Sequence, residues 1–489
     1  MRITTRLPPR PPAIRSSVTA RDDRLLVAVA VLASFVAFLD GSVVNLALPA
    51  ISAELGGGLV TQQWVIDGYL MTLGALILVA GAVSDTFGRL TVLRAGLVVF
   101  GVASLLCAVA PSGAVLIVGR CVQGLGAAFL VPSSLAMINA RFTGGEQSRA
   151  IGVWTAWTGT AFVIGPLLGG LLVEALGWRW VFAVNVVPLA VTVALAGMLT
   201  DQAPRRNARV DVGGAVLTAV GLSATVFAMI EQQRLGWHHP IIVAGLIAGP
   251  VCLIAFGWWE RHTAHPMMPP AVFAARNFTV GNLATVFLYA GISLGLLLVA
   301  LFLQEVGRLS PAQAGLATLP VPVLSFLLAA RFGELAGRHG PRRYMAIGPM
   351  IAAAGFVWMA LAHGNVWAQT VPGLVLFGVG LSVTVSPLTA AILAAVDPAQ
   401  SGIGSAINNA VARVAGLIAI AFTAVIVGGA MSFDGFRRGA LTSAVLLVIA
   451  GIVSAIGIRD DQRDQSPESV ATAACCHRDG PPPAPVRRT

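Results

Sequence analysis

Lysine is missing from this sequence altogether, and all 31 basic residues are arginine. A phosphate loop that needs its lysine, and Schiff-base chemistry on a lysine amine, are therefore excluded, so ATP hydrolysis by the chain itself is not expected. Cysteine is scarce and irregularly placed. Cys107, Cys121 and Cys252 lie in apolar runs, and Cys475 and Cys476 are adjacent in a polar tail, which forms neither a disulfide framework nor a ligand set. The seven histidines fall mostly in loops or tails, with no His/Cys/Asp grouping at metal-ligand spacing. No metal site and no cofactor is expected. Charge is the third shortage: 11% of the 489 residues are charged against 56% hydrophobic, with a mean hydropathy of +0.83. A chain with so little polar surface cannot coat a soluble core, and belongs in a bilayer.

What is present is a series of apolar runs, each about the 20 residues needed to cross a bilayer. Hydropathy and helix breakers place spans at roughly 25–47, 64–84, 91–110, 113–138, 151–173, 180–199, 213–231, 240–259, 279–303, 313–335, 344–362, 370–394, 403–429 and 439–458. That is an all-α integral membrane fold with about fourteen transmembrane helices. The first 24 residues are rich in Arg and Pro and lack a small-residue cleavage site, so the first helix reads as an uncleaved anchor. A formal charge of +10 would suggest nucleic acid in a soluble protein. Here it reports topology instead: about 23 arginines fall in the tails and even-numbered loops and about 5 in the odd-numbered ones, which puts both termini in the cytoplasm. The clearest clusters are Arg89 with Arg94, Arg205 with Arg206 and Arg209, and Arg338 with Arg342 and Arg343; Arg437 and Arg438 fall on the wrong side.

Gly81, Asp85 and Gly88, followed by Arg89, close the second span. Gly333, Gly337 and Gly340, followed by Arg342, close the tenth at the same offsets, which reads as a parallel internal repeat. A 6+2+6 plan follows: a basic tail at 1–24, a six-helix bundle at 25–199, linkers with two extra helices at 200–277, a second bundle at 278–458, and a polar tail at 459–489. The last segment carries a Pro cluster at Pro481 to Pro485 and is too poor in apolar residues to fold alone.

Asp40 lies in the first run, about eight residues before its outer end and so about 11 Å below the surface. Placing its charge there costs about 2.5–3.5 kcal/mol, so it must face protein or water, and an intramembrane acid is a candidate proton carrier. Arg120 enters the fourth span to about the same depth, which makes a pair across two helices geometrically possible. Because Arg does not give up its proton, its role would be to tune a carboxylate or orient a substrate; a purely structural role is the alternative. Asp67, one turn below Trp64, could snorkel to water or join the proton path, and Glu231 reads as interfacial. Arg331 and Arg413 also fall inside spans; Arg331 is close enough to the cytoplasm to snorkel. Gly165, Pro166, Gly169 and Gly170 crowd the fifth span, and Gly124, Gly126, Ala127 and Ala128 the fourth, at a cost in helix stability that calls for close helix approach or a kink.

Together these clusters resemble the major facilitator superfamily, and within it the 14-helix drug:proton antiporter family, over about residues 25–458. Leu39 to Pro49 is similar to that family's first-helix motif, with Asp40 at the acidic position. Gly81 to Arg89 resembles the superfamily's cytoplasmic motif A, and Arg120, Gln123, Gly124 and Gly126 resemble motif B. Gly165 to Gly170 resembles the antiporter motif C, and Trp178 to Phe182 with Asn185 the family's approach to the sixth helix. Two departures stand out: Leu90 replaces a second basic residue of motif A, and Gly337 stands where the repeat would carry an Asp.

The resemblance implies proton coupling through Asp40 and Arg120. It implies an inter-domain latch at Gly81, Asp85, Gly88 and Arg89, and a hinge at Gly165 and Pro166 with Gly169 and Gly170. It also implies a multi-pass exporter of the bacterial inner membrane that works by alternating access on the proton gradient. Its partners would be protons, membrane lipid and small hydrophobic substrates, cationic ones among them. A monomer is expected, without nucleic acid. An importer or symporter of a small metabolite is the alternative, and a membrane-embedded enzyme or sensor a remote one.

Overall fold

The computed structural model describes residues 17–142, 144–200, 211–263, 266, 268–361, 365–396 and 401–460. The cluster at Arg205, Arg206 and Arg209, the Cys475 and Cys476 pair, the Pro481 to Pro485 run and most of both tails lie outside them. So do the side chains at Gly81 and Asp85.

In lipid every backbone amide must find its partner within the protein, so apolar runs without breakers become helices. The long ones are α1 (Ser17–Val43), α2 (Gly58–Phe87), α3 (Arg89–Ala108), α4 (Gly113–Arg141), α5 (Gly144–Ala175), α6 (Val186–Gly197) and α7 (Val212–Leu235). There follow α8 (Pro240–His262), α9 (Arg276–Leu301), α10 (Pro320–His339), α11 (Arg342–Leu361), α12 (Val366–Ala394), α13 (Ser401–Ala421) and α14 (Phe433–Gly457). Counted with the short helical pieces that adjoin some of them, 13 spans of the described residues are long and apolar enough to cross a membrane.

Several expected spans are broken where local chemistry demands it. The tenth is split into Pro311–Thr318 and α10, because Pro320 lacks the amide hydrogen needed to continue a helix. The sixth starts with a separate turn, Arg179–Ala183, and the thirteenth ends in Thr423–Val427. Gly428 then takes φ 87°, and Arg438 donates to the carbonyl of Val427. That bond caps a helix end.

The helices sort into two packed groups. In the first, α4 packs on α2 and α3, and α1 on α4, α5 and α6; in the second, α11 packs on α12 and α14, α9 on α13 and α14, and α10 on α12. α7 and α8 pack on each other, and α7 also lies on α2 and α13, across the seam between the groups. Only 11% of the apolar stretch of α8 is buried against the rest of the chain, which leaves its surface to lipid.

The repeat expected from the glycines is legible in the packing. Gly88 and Gly340 end α2 and α10 with φ 98° and 86°, a conformation that favours glycine. Eight residues beyond each stand Gly96 and Gly348. A Cβ on Gly126 of α4 would come 3.0 Å from the Gly96 carbonyl and 2.7 Å from the Phe100 amide. A Cβ on Gly380 of α12 would come 2.6 Å from the Gly348 carbonyl and 2.4 Å from the Ala352 amide. The same glycine-to-backbone contact thus joins α3 to α4 and α11 to α12.

Candidate functional site

Asp40 is fully buried on α1, and Arg120 on α4 is 1% exposed. They form an ion pair with Arg120 Nη1 2.6 Å from Asp40 Oδ2. Gln123, one turn along α4 and therefore on the same face, donates Nε2 to Asp40 Oδ1 at 2.9 Å and accepts from Arg120 Nη1 at 2.6 Å. Asn185, between Arg179–Ala183 and α6, donates to Asp40 Oδ1 at 2.8 Å. Ser104 of α3 receives Gln123 Nε2 at 3.0 Å, and Arg120 Nε donates to the Val65 carbonyl of α2 at 2.8 Å. The guanidinium lies 4.4 Å above the ring of Tyr69. The carboxylate therefore bonds to α4 and the turn before α6 directly, and through Arg120 and Gln123 the network reaches α2 and α3. A buried pair repays its desolvation only when further hydrogen bonds support it, and here both carboxylate oxygens are engaged, while Asn185 Oδ1 has no partner among the described residues. Removing either charge leaves the other uncompensated.

Of these partners, Gln123 and Asn185 stand in the sequence motifs but carry no individual role there, and Ser104 and Tyr69 carry no sequence signal. The spacing of three from Arg120 was the one clue for Gln123.

The other intramembrane residues are distributed differently. Asp67 is completely buried on α2, and neither carboxyl oxygen has a hydrogen-bond partner among the described residues. It does not snorkel: Gly68 beside it lets α2 approach α4 to within contact of Ile117 and Cys121, which closes water off. Glu231, expected at the interface, lies near the end of α7 with its carboxylate 3.5 Å from Arg234 Nε. It is 7% exposed and accepts the Trp64 indole at 2.9 Å, tying α7 to α2. Arg331 is exposed on α10. Arg413 on α13 is partly buried, its Nε has no hydrogen-bond partner among the described residues, and its guanidinium carbon lies 5.9 Å from the Phe38 ring of α1.

The glycines of α5 form contact surfaces on two sides. Gly165 and Gly169 face α1, where a Cβ would meet Ser42 and the Val43 carbonyl at 1.6 and 2.7 Å. Gly170 faces the other group: a Cβ there would lie 2.3 Å from the Pro311 carbonyl, and Gly315 in turn packs on the Pro166 carbonyl. α5 runs unbroken through Pro166. More polar ties join the two groups at this same end, the one away from Ser17 and Gly457. Glu174 accepts from Ser310 Oγ at 2.6 Å and from the Ala312 amide at 3.0 Å. Gln62 donates to Glu305 at 2.6 Å, and Gln63 to the Ile420 carbonyl at 2.7 Å. At the opposite end, Arg89 donates to the Ala136 carbonyl of α4, within its own group.

A matching corner stabilises the far end of the first group. Trp178 and Arg179 both donate to Glu54, at 2.7 and 2.5 Å. The Arg179 hydrogen bond, followed by that of Trp178, holds the Glu54 carboxyl below the usual glutamate range. No group of three or more His, Cys, Asp or Glu able to hold a metal occurs among the described residues.

The family model described as Major Facilitator Superfamily matches residues 30–259 and 281–486. This chain belongs to the Major Facilitator Superfamily. Its similarity to curated members of that superfamily is extensive. It is 35% identical over 418 residues to the puromycin resistance protein pur8 of Streptomyces alboniger, covering 82% of this chain and 81% of that one. It is 31% identical to the tetracenomycin C resistance and export protein of Streptomyces glaucescens, over 84% of this chain and 77% of that one. With the methylenomycin A resistance protein of Bacillus subtilis it shares 30% identity, over 85% and 90%. Among solved structures, the fold is similar to an auto-inhibited POT family peptide transporter, with TM-score 0.67 and 15% identity over 91% of this chain and 98% of that one. It is also similar to the inward-open xylose transporter XylE of E. coli, with TM-score 0.63 and 14% identity over 92% and 99%. In this transporter the buried polar network around Asp40 sits between packed helices.

Proposed function

We propose that this chain is a proton-coupled antiporter that exports hydrophobic antibiotics or related small molecules across the bacterial inner membrane by alternating access. The observation that carries the reading is the buried Asp40–Arg120–Gln123–Asn185 network, an acid inside the membrane whose two oxygens accept three hydrogen bonds. Proton arrival at Asp40 releases Arg120 and the two amides together, so one proton reorganises α1, α4 and the turn before α6. Asp67, an orphan carboxyl taken out of water, has to be matched by a proton or cation from outside its shell, and is placed on the same route. Each charge that crosses 100 mV is worth about 2.3 kcal/mol, which supplies the work.

Export is supported by resistance and export proteins among the relatives, and by the glycine contacts of α5, which close the far end as a separable seal. In this reading α2 joins the 13 spans as a fourteenth, in a 6+2+6 plan with α7 and α8 as the extra pair. Both termini lie in the cytoplasm, and the protein works as a monomer. The far-end ties through Glu174, Gln62 and Gln63 then make the described state inward-facing. Asp85 and Arg89 form the latch of the opposite state, and Gly165 and Pro166 with their neighbours form the hinge.

The test is efflux of a panel of fluorescent drugs into everted vesicles under an imposed pH gradient, wild type beside Asp40→Asn. The expected result is gradient-dependent transport by wild type and none by the variant. Transport by Asp40→Asn at the wild-type rate and pH dependence would sink the assignment.

A further inference from the structure

The charges inside the membrane do not cancel. Asp40 is matched by Arg120, and its two oxygens are filled by Arg120, Gln123 and Asn185. Asp67 can shed its charge by taking a proton. Arg413 cannot: a guanidinium stays protonated in proteins. It makes no ion pair among the described residues, its Nε is unpartnered, and across the seam its guanidinium carbon lies 5.9 Å from the Phe38 ring, with the neutral hydroxyls of Tyr69 and Tyr289 also in its surroundings. A permanent, uncompensated cation of this kind is costly unless something from outside the chain balances it.

Its surroundings describe what that something would be. Phe38 is the centre of an aromatic wall on the first helix group, 5.4 Å from Phe162 and 6.4 Å from Trp154, and Phe162 is 48% exposed. Four residues before Arg413, Asn409 is exposed on the same face of α13. The seam therefore offers an apolar wall on one side, its Phe162 and Trp154 rings tilted 50° and 71° to that of Phe38, and a guanidinium with planar, forked donors on the other.

We propose that Arg413 is the specificity-determining residue of the transport site, and that its ligands are lipophilic, aromatic molecules carrying an anionic oxygen, such as a carboxylate or phenolate. This refines the exporter reading above and rests on it for the site's use. It also reverses the expectation of cationic substrates. The body of the ligand packs against Phe38 and its neighbour Phe162 while its oxygen takes the donors of Arg413, bridging α1 and α13. Such a ligand contacts both groups at once and is released when they part.

The test measures binding separately from transport. Full-length protein in nanodiscs is titrated against two dyes with the same tricyclic body and opposite charge, anionic fluorescein and cationic rhodamine 6G, followed by fluorescence polarisation. Wild type is expected to bind fluorescein at least about tenfold more tightly, and Arg413→Gln to lose that preference by about ten- to a hundredfold while still binding rhodamine 6G. Arg413→Lys keeps the charge without the fork and should fall between the two. The proposal is overturned if wild type binds both dyes equally, prefers rhodamine 6G or binds neither, or if a folded Arg413→Gln protein keeps the preference. Binding of fluorescein without its movement in vesicles would instead refute the exporter reading and leave the role of Arg413 standing.

Discussion

Replacing Asp40 by Asn separates a structural ion pair from a proton site. The substitution leaves one oxygen to accept and puts an NH2 where a second acceptor stood, against donors from Arg120 at 2.6 Å, Gln123 at 2.9 Å and Asn185 at 2.8 Å. Arg120, 1% exposed, then holds an uncompensated charge, and breaking a buried pair in this way costs about 3–5 kcal/mol. Arg120→Gln strands the carboxylate instead, at a similar cost. The double variant removes both charges and leaves amides that can bond to one another, so it should lie at least about 2 kcal/mol above the sum of the two singles. The ten tryptophans provide the signal for denaturant unfolding in micelles. The vesicle assay should give the opposite pattern: the double variant regains stability and no gradient-driven transport. Additive losses in the cycle would mean that the pair is not the energetic unit described above. A double variant that pumps with wild-type pH dependence would remove Asp40 from the proton path.

The far-end seal and its corner make further predictions. Gly170→Leu drives a side chain into the Pro311 carbonyl, 2.3 Å from where its Cβ would stand, and should prop the far end open; a Ser310→Cys reporter in that background should react several-fold faster with a membrane-impermeant maleimide, and an unchanged rate would refute the seal. Glu174→Gln weakens two charge-assisted bonds, to Ser310 and the Ala312 amide, and should raise far-end labelling of a neighbouring cysteine by about tenfold. Glu54 is held below its ordinary range in the folded protein by Arg179 and then Trp178. Its contribution is thus fully present above the unfolded glutamate value and is lost as the pH falls through the lower folded one. The melting temperature of wild type should therefore drop between about pH 5 and pH 3, and by less in Glu54→Gln; equal drops would show that the corner does not titrate.

Residence in the bilayer, the helical character of nearly every element and the residues that carry charge into the membrane were legible from the order of amino acids. Hydropathy is a sum along the chain, and a helix in lipid satisfies its own backbone whatever its neighbours are. Asp40 and Arg120 could be placed at one depth because rise per residue converts position to height. What the sequence could not supply was rotation: which way each helix turns its faces depends on partners hundreds of residues away. For that reason Asp67 proved sealed instead of snorkelling, Glu231 proved a bridge from α7 to α2, and Gly170 proved a contact between the two helix groups. The tertiary structure alone brought Gln123 and Asn185 onto one carboxylate, with Ser104 behind Gln123, and left Arg413 near the Phe38 ring with no ion-pair partner among the described residues. Those outcomes depend on helix packing, which glycine-to-backbone contacts fix to within a few tenths of an ångström and no local pattern encodes.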